Sequence, residues 1–357
     1  MSSIPEEMLA ARLYEPGRVV IEKIPTPKPG PDEALVQIAA CGVCGSDVHI
    51  TVEKSQYLAE YPRTPGHEAS GKIVALGDGV QDWRLGDRVA IWCGIVCGQC
   101  EACRAGEENL CDHFKVAGYD WDGAYAQYMK VPARCLLRLD DRVPFEIGAI
   151  LSDAVSTPYH ALAVRGQLTP GERVAVFGCG GLGLHAVMLA KMLGALEVFA
   201  VDPREKALER AKEYGADHLI RVGEDLPPYK QIREATEGRG VDVAIELVGR
   251  EESIEEGSKC LARRGRLVLV GIGRIRPKMP LIEPFVAFSH SILGSFGARK
   301  EDLRNLIEHA ANGRFDLSKS VSDRRPLEDL NDCLTELYEK KGDPIRIVIQ
   351  PNGDMNE

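Results

Sequence analysis

The chain has no apolar run approaching the ~18 residues that a membrane span needs. Its N-terminus, MSSIPEEMLAARLY, lacks the basic flank and apolar core of a secretory signal. Cytoplasmic residence without a membrane partner is the expectation. A basic excess is also missing: 44 Lys and Arg face 54 Asp and Glu, for a net charge of −10, and the signs are interspersed. Phosphate backbones need a concentrated basic face, which argues against nucleic acid as the main partner. A local basic pocket for a phosphate-bearing substrate stays open. There is no repeat of solenoid length, and the only stretch that reads as unstructured is the polar tail after Ile349.

What is present is a globular composition, 44% hydrophobic and 27% charged, over 357 residues. That length favours two domains. Eleven cysteines are many for a reducing compartment, and Cys97, Cys100, Cys103 and Cys111 crowd into fifteen residues. Such clustering points to metal rather than to disulfides. Zinc takes four soft ligands in a tetrahedron, and an all-thiolate site leaves no position for substrate, so the expected role is structural. An iron–sulfur cluster also suits four thiolates; four unrelated thiols are the plainer alternative.

Residues 1–150 read as short strands broken by Gly and Pro, among them Ala34–Ile38, Gly71–Leu76, Asp87–Ile91 and Tyr125–Val131. From Ser156 strands alternate with helical patterns. Strands are expected at Arg173–Phe177, Glu197–Val201, His218–Ile220, Val243–Leu247, Arg266–Val270 and Ser291–Ser295, with helices such as Leu182–Leu193 and Glu205–Tyr214 between them. Alternation of this kind builds a parallel sheet covered on both faces, here a doubly wound, six-stranded Rossmann domain. Helical segments at Lys300–Ala311 and Pro326–Lys340 and a strand at Ile345–Ile349 are expected to return to the first domain. The expectation is an α/β chain with a mainly β domain over 1–155 and 298–357, and a dinucleotide-binding domain over 156–297.

Directly after the strand ending at Phe177, Gly178-Cys179-Gly180-Gly181-Leu182-Gly183 satisfies G-x-G-x-x-G and opens a helix. The first glycine permits a tight turn, the second lets backbone approach a pyrophosphate, and the third lets helix and strand pack closely, with the helix N-terminus facing the phosphates. An ordinary tight turn is the alternative. Asp202 ends the next strand, nineteen residues beyond Gly183, where an acid hydrogen-bonds an adenosine ribose and repels a 2′-phosphate. NAD is therefore favoured over NADP, although Arg204 and Lys206 offer cations that such a phosphate could use. Asp202 also reads as a helix N-cap.

Other chemistry-bearing residues are dispersed: Cys44 in Cys-Gly-Ser-Asp-Val-His, His67 in Gly-His-Glu, Asp153 in Leu-Ser-Asp-Ala. Spacing alone does not join them. Together with Gly66-His67-Glu68, the four-cysteine lobe, the glycine-rich turn and Gly294-Ser295-Phe296, they resemble, in order and nearly end to end, the zinc-containing medium-chain dehydrogenase/reductase family of alcohol and polyol dehydrogenases. The resemblance implies a GroES-like catalytic domain, two zincs per chain and NAD. It implies that Cys44, His67 and Asp153 hold a catalytic zinc whose open position takes an alcohol oxygen. The third ligand is often cysteine in the family, and Asp occurs in some of its branches. Glu68 resembles a carboxylate beside the metal, and Asp47 the acid that orients the histidine ligand. Ser46 and His49 resemble a relay that carries the alcohol proton to solvent, with loop hydrogen bonding as the plainer reading. Arg346 resembles a basic residue near the cofactor phosphates; a surface arginine is the alternative.

Trp92 and Cys93 fall where the family lines its substrate cleft, and Trp92 also suits a core. His160 and His185 read as packing residues, and Cys179 as a small side chain tolerated in the turn. The resulting reading is an oxidoreductase acting on a secondary or cyclic alcohol or the matching ketone. Asp153-Ala-Val-Ser-Thr-Pro-Tyr brings in a cyclic hydroxyacyl-CoA as an alternative substrate, beside a polyol or aldehyde. A zinc-free enoyl or quinone reductase and a non-catalytic NAD-binding protein are the competing classes. The resemblance implies that the strand Ser291–Ser295 could extend its sheet across a two-fold axis, as in family members, so a homodimer or homotetramer is expected.

Overall fold

The computed structural model describes residues 4–54, 58–223, 225–278 and 280–356. The chain forms two compact units, one of Met1–Ala154 with Arg299–Glu357 and one of Val155–Ala298.

The first unit is built on a seven-stranded sheet. Its path runs Val321–Arg325, Arg346–Ile349, Glu33–Gly42, Glu68–Leu76, Arg88–Ile91, Leu136–Arg138, with Tyr128–Pro132 also paired to Glu33–Gly42. Every pairing is antiparallel except that of Val321–Arg325 with Arg346–Ile349. Val36, Ile38, Ile73, Val89, Ile91, Met129 and Val131 share one core with Leu330, Leu334 and Ile347 from the C-terminal segment. Each such buried aliphatic side chain stabilises by about 1.5–3 kcal/mol, which is why the C-terminal residues return to this unit. A separate hairpin, Glu7–Glu15 with Arg18–Pro25, comes first in the chain.

Three details differ from the expectations. The strand expected from Tyr125 starts at Tyr128, because Tyr125 splits its backbone bonds between Pro65 and Ala11. The helix expected from Pro326 opens as a 3₁₀ turn, Leu327–Asp329, before α-helix Leu330–Glu339. The polar tail is ordered: the Asn352 amide donates to the carbonyls of Ile38 and Gln127, and Asn356 accepts from the Phe145 amide at 2.9 Å. Side-chain amides replace apolar anchors there, which hydropathy does not register.

The second unit is a doubly wound sheet of six parallel strands. Their order is His218–Arg221, Glu197–Asp202, Arg173–Phe177, Val241–Glu246, Leu261–Leu269, Ser291–Gly294. Val174–Phe177 and Val241–Glu246 are buried throughout, as a sheet covered on both faces requires. The order reverses between Arg173–Phe177 and Val241–Glu246, and ligands of such sheets bind beyond the strand C-termini at that switch. Among the described residues no helix is long and apolar enough to cross a membrane.

Candidate active site

Antiparallel register assembles the dispersed residues of the first unit. Gly42 lies opposite Glu68, so Cys44, two residues beyond one strand, and His67, one residue before the next, arrive at the same sheet end. Cys44 has extended backbone and caps the short helix Gly45–Thr51. Asp153 comes from a third element. The helix Phe145–Ile150 widens into a π-helical turn, Leu151–Val155, a distortion frequent at functional sites, and Ser152 donates to the Ala69 carbonyl at 3.4 Å. One ligand atom from each of Cys44, His67, Glu68 and Asp153 lies within 4.8 Å of the others.

Cys44 Sγ is 3.7 Å from Asp153 Oδ2, and His67 Nε2 is 3.4 Å from the same oxygen. Behind the ring, His67 Nδ1 faces Asp47 Oδ1 at 3.4 Å, and Asp47 Oδ2 accepts from the Cys44 amide at 3.0 Å. Burial pushes the His67 imidazole down, but the neighbouring Asp47 and Asp153 carboxylates overcome it, leaving the pKa well above the usual histidine range. Burial pushes the Glu68 carboxyl up to about 7, against the pull of Arg346. Both oxygens of Glu68 and Nδ1 of His67 are buried without a hydrogen bond among the described residues. A buried set of sulfur, nitrogen and carboxylate donors that draws protons in this way fits a divalent cation, zinc above all.

Ser46 Oγ lies 3.4 Å from His67 Nε2, and His49 Nδ1 meets Glu53 Oε2 at 2.6 Å. Arg346 is no surface arginine. It is 3% exposed, donates to the Val43 carbonyl at 2.9 Å and stands 3.5 Å from Glu68 Oε1. Trp92 is buried against Phe114, with ring centroids 5.8 Å apart. Burial pushes the Cys93 thiol up to about 12. Two tyrosines escaped the sequence reading. The Tyr119 hydroxyl donates to the Ser46 carbonyl at 2.8 Å, and that of Tyr125 to Asp47 Oδ2 at 2.7 Å. No spacing rule signals either, because their partners are distant in sequence.

The four thiols of Cys97, Cys100, Cys103 and Cys111 also lie within 4.8 Å of one another. Backbone amides are aimed at the sulfurs: those of Gln99 and Cys100 at Cys97, those of Cys97 and His113 at Cys111, all at 3.3–3.4 Å. The amides of Cys103 and Asp112 draw the Cys100 thiol down to about 6. Amides lower the Cys97 and Cys100 thiols while burial pushes Cys103 up to about 12, and the four sulfurs form a closed set that could hold one zinc.

In the second unit Gly178 turns at φ +93°, and a Cβ on Gly183 would fall 1.8 Å from the Gly178 carbonyl oxygen. Gly180 caps the helix Gly181–Met192 and has open space where a side chain would stand. Leu182 lies in that helix's first turn. Asp202 is buried, and its carboxylate accepts from the amides of Cys179 and Arg204, each at 2.9 Å, and from Arg204 Nε at 3.1 Å. Lys206 is exposed. Cys179, His160 and His185 are buried, as packing residues are.

The family profile described as alcohol dehydrogenase GroES-like domain matches residues 30–141, and that described as zinc-binding dehydrogenase matches 181–312. A sorbitol dehydrogenase of Bacillus subtilis is 34% identical over 98% of this chain and 99% of its own. An NAD-dependent alcohol dehydrogenase of Sulfurisphaera tokodaii is 34% identical over 92% and 96%. The solved alcohol dehydrogenase of Aeropyrum pernix superposes with a TM-score of 0.85 at 34% identity, over 96% of this chain and all of its own. With these motifs in this order on this fold, the chain belongs to the zinc-containing medium-chain dehydrogenase/reductase family.

Proposed function

We propose that the chain is an NAD-dependent alcohol dehydrogenase with two zincs, interconverting a secondary or cyclic alcohol and its ketone. The observation that carries this is the convergence of Cys44, His67, Glu68 and Asp153 within 4.8 Å, in a chain of a zinc-binding dehydrogenase family. Cys44, His67 and Asp153 hold the catalytic zinc, and three protein ligands leave the fourth position to substrate. When bound, zinc supplies a Lewis acid that polarises a substrate oxygen, and NAD supplies the hydride acceptor.

The remaining roles belong to the chain. Asp153 gives the metal a carboxylate rather than a third soft donor. Asp47 orients His67 through Nδ1, leaving Nε2 for the metal. Glu68, buried beside the ligands and paired with Arg346, is a carboxylate in reserve. Ser46 Oγ takes the substrate hydroxyl proton, and His49, whose side chain is 38% exposed and meets Glu53, hands it to water. Cys97, Cys100, Cys103 and Cys111 hold the structural zinc. In the second unit Gly178, Gly180, Gly181, Leu182 and Gly183 present backbone to the pyrophosphate, and Asp202 takes the ribose hydroxyls. Its grip on Arg204 holds that cation away from a 2′-phosphate and supports NAD over NADP.

A polyol is the second reading, favoured by similarity to a sorbitol dehydrogenase over nearly the whole chain. The test is a screen of secondary alcohols, polyols and hydroxyacyl-CoA thioesters, with the matching ketones, following NADH absorbance alongside zinc analysis. Turnover with zinc absent overturns the metal reading. Two zincs without turnover on any of these classes overturns the substrate reading.

We further propose a homodimer through the Ser291–Gly294 edge of the six-stranded sheet. The edge strand Ser291–Gly294 carries neither proline nor charge. Nearby in sequence, Leu281, Ile282 and Val286 are 80%, 61% and 67% exposed. Edges and patches of this kind call for a cover, and a second copy supplies it with two-fold symmetry.

A further inference from the structure

We infer that Tyr125 is a positioning residue for the metal centre of Cys44, His67 and Asp153, acting through Asp47; the inference rests on the metal reading above. Asp47 is fully buried, and its two oxygens do different things. Oδ2 accepts from the Cys44 amide at 3.0 Å and from the Tyr125 hydroxyl at 2.7 Å. Oδ1 faces His67 Nδ1 at 3.4 Å. One carboxylate thus touches the backbone of one ligand and the ring of another. Its rotation decides whether Nδ1 of His67 finds an acceptor, and so whether Nε2, the nitrogen facing Asp153, carries the free lone pair a metal needs. The helix amide alone fixes one oxygen. The Tyr125 hydroxyl, arriving from a different segment, fixes the plane.

The surroundings hold Tyr125 for this purpose. The ring is fully buried, and its amide donates to the Pro65 carbonyl at 3.0 Å. It passes so close to the residue before His67 that a Cβ on Gly66 would fall 3.0 Å from Tyr125 Cγ and 2.9 Å from its backbone nitrogen. The hydroxyl also lies 3.1 Å from the Gly42 carbonyl, at the end of the strand that delivers Cys44. Phenylalanine would fill the same volume. The hydroxyl is therefore not a packing requirement, and a buried hydroxyl is unfavourable unless it bonds.

The experiment compares wild type, Tyr125→Phe, Asp47→Asn and the double variant, each loaded with zinc and titrated with a chromophoric chelator while zinc release is counted. Wild type should release two zincs in separable steps. In Tyr125→Phe one zinc should leave at about 10–100-fold lower chelator concentration, with the four-cysteine zinc unchanged and the chain still folded. The double variant should hold zinc no more weakly than Asp47→Asn alone, because both changes act on one carboxylate. Cobalt substituted at the weakened site should show an altered d–d spectrum in Tyr125→Phe. Wild-type release from Tyr125→Phe, additive effects in the double variant, or loss of both zincs together with stability would each overturn the role of Tyr125 alone. A wild-type chain that holds a single zinc overturns the metal reading, and this inference with it.

Discussion

The Asp202 carboxylate accepts a hydrogen bond from the Cys179 amide at 2.9 Å, so the acid ending one strand and the glycine-rich turn ending its neighbour form one bonded unit. The same carboxylate engages Arg204 through its backbone and its guanidinium. In the proposed reading, cofactor choice and turn geometry are therefore coupled through one side chain.

Asp202→Asn keeps an acceptor for the Cys179 amide and removes the charge. The ratio of kcat/KM for NAD to that for NADP should fall by about tenfold or more, equivalent to ~1.4 kcal/mol. Asp202→Gly should in addition weaken both nucleotides, because the turn loses its anchor. Steady-state kinetics with the two cofactors checks this, and an unchanged ratio in Asp202→Asn removes the ribose role.

Asp153→Ala should reduce zinc from two to one per chain, leaving the four-cysteine metal in place. Mass-spectrometric metal analysis after dialysis reads the count. Retention of both zincs would take Asp153 out of the ligand set.

Cys100→Ser should release the other zinc, since a closed four-sulfur site tolerates no missing ligand. The melting temperature should fall and chelator should no longer change it, because structural metal binding is folding free energy. A variant that stays fully stable and zinc-replete would contradict the staple.

Glu172 provides a pH test away from either metal. Burial pushes its carboxyl up, but the Arg266 fork, at 2.7 and 2.9 Å, outweighs it and leaves the group below its usual range. A depressed carboxylate contributes stability that is present above the unfolded pKa, ~4.3, and is lost as pH falls through the folded value. Glu172→Gln should therefore lower the melting temperature at pH 7, by roughly 2–4 °C, and its gap from wild type should close below about pH 4. A gap that persists in acid would mean the Arg266 contact works by packing.

Val286→Asp and Ile282→Asp place charge on exposed apolar positions without touching a core. Both should shift the protein toward monomer in analytical ultracentrifugation. Unchanged sedimentation at the same concentration would move the interface elsewhere.

The second unit was readable because its signals are local. Arg173–Phe177 is marked by a buried apolar run and closed by the glycine turn, and the strand stands where the sequence puts it. The boundary at Leu261–Leu269 was less readable, since five residues before Arg266 join the strand through an irregular register that no apolar pattern announces. Tyr125 misled for the same reason. Its β-rich neighbourhood is real, but its hydroxyl and backbone partners lie tens of residues away.

By itself the sequence determined the alternating parallel sheet, the glycine turn with its acid, and a four-sulfur cluster inside one loop, because each is marked by a local pattern or a recognisable spacing along the chain. Only the tertiary structure decided that Cys44, His67, Glu68 and Asp153 share 4.8 Å, that Arg346 is buried beside Glu68, and that Tyr125 reaches Asp47. The four-residue cluster is set by the register of Gly42 on Glu68 and by a π-helical turn more than eighty residues further along. Register and helix widening follow from how whole faces pack, and no spacing of residues along the chain encodes them.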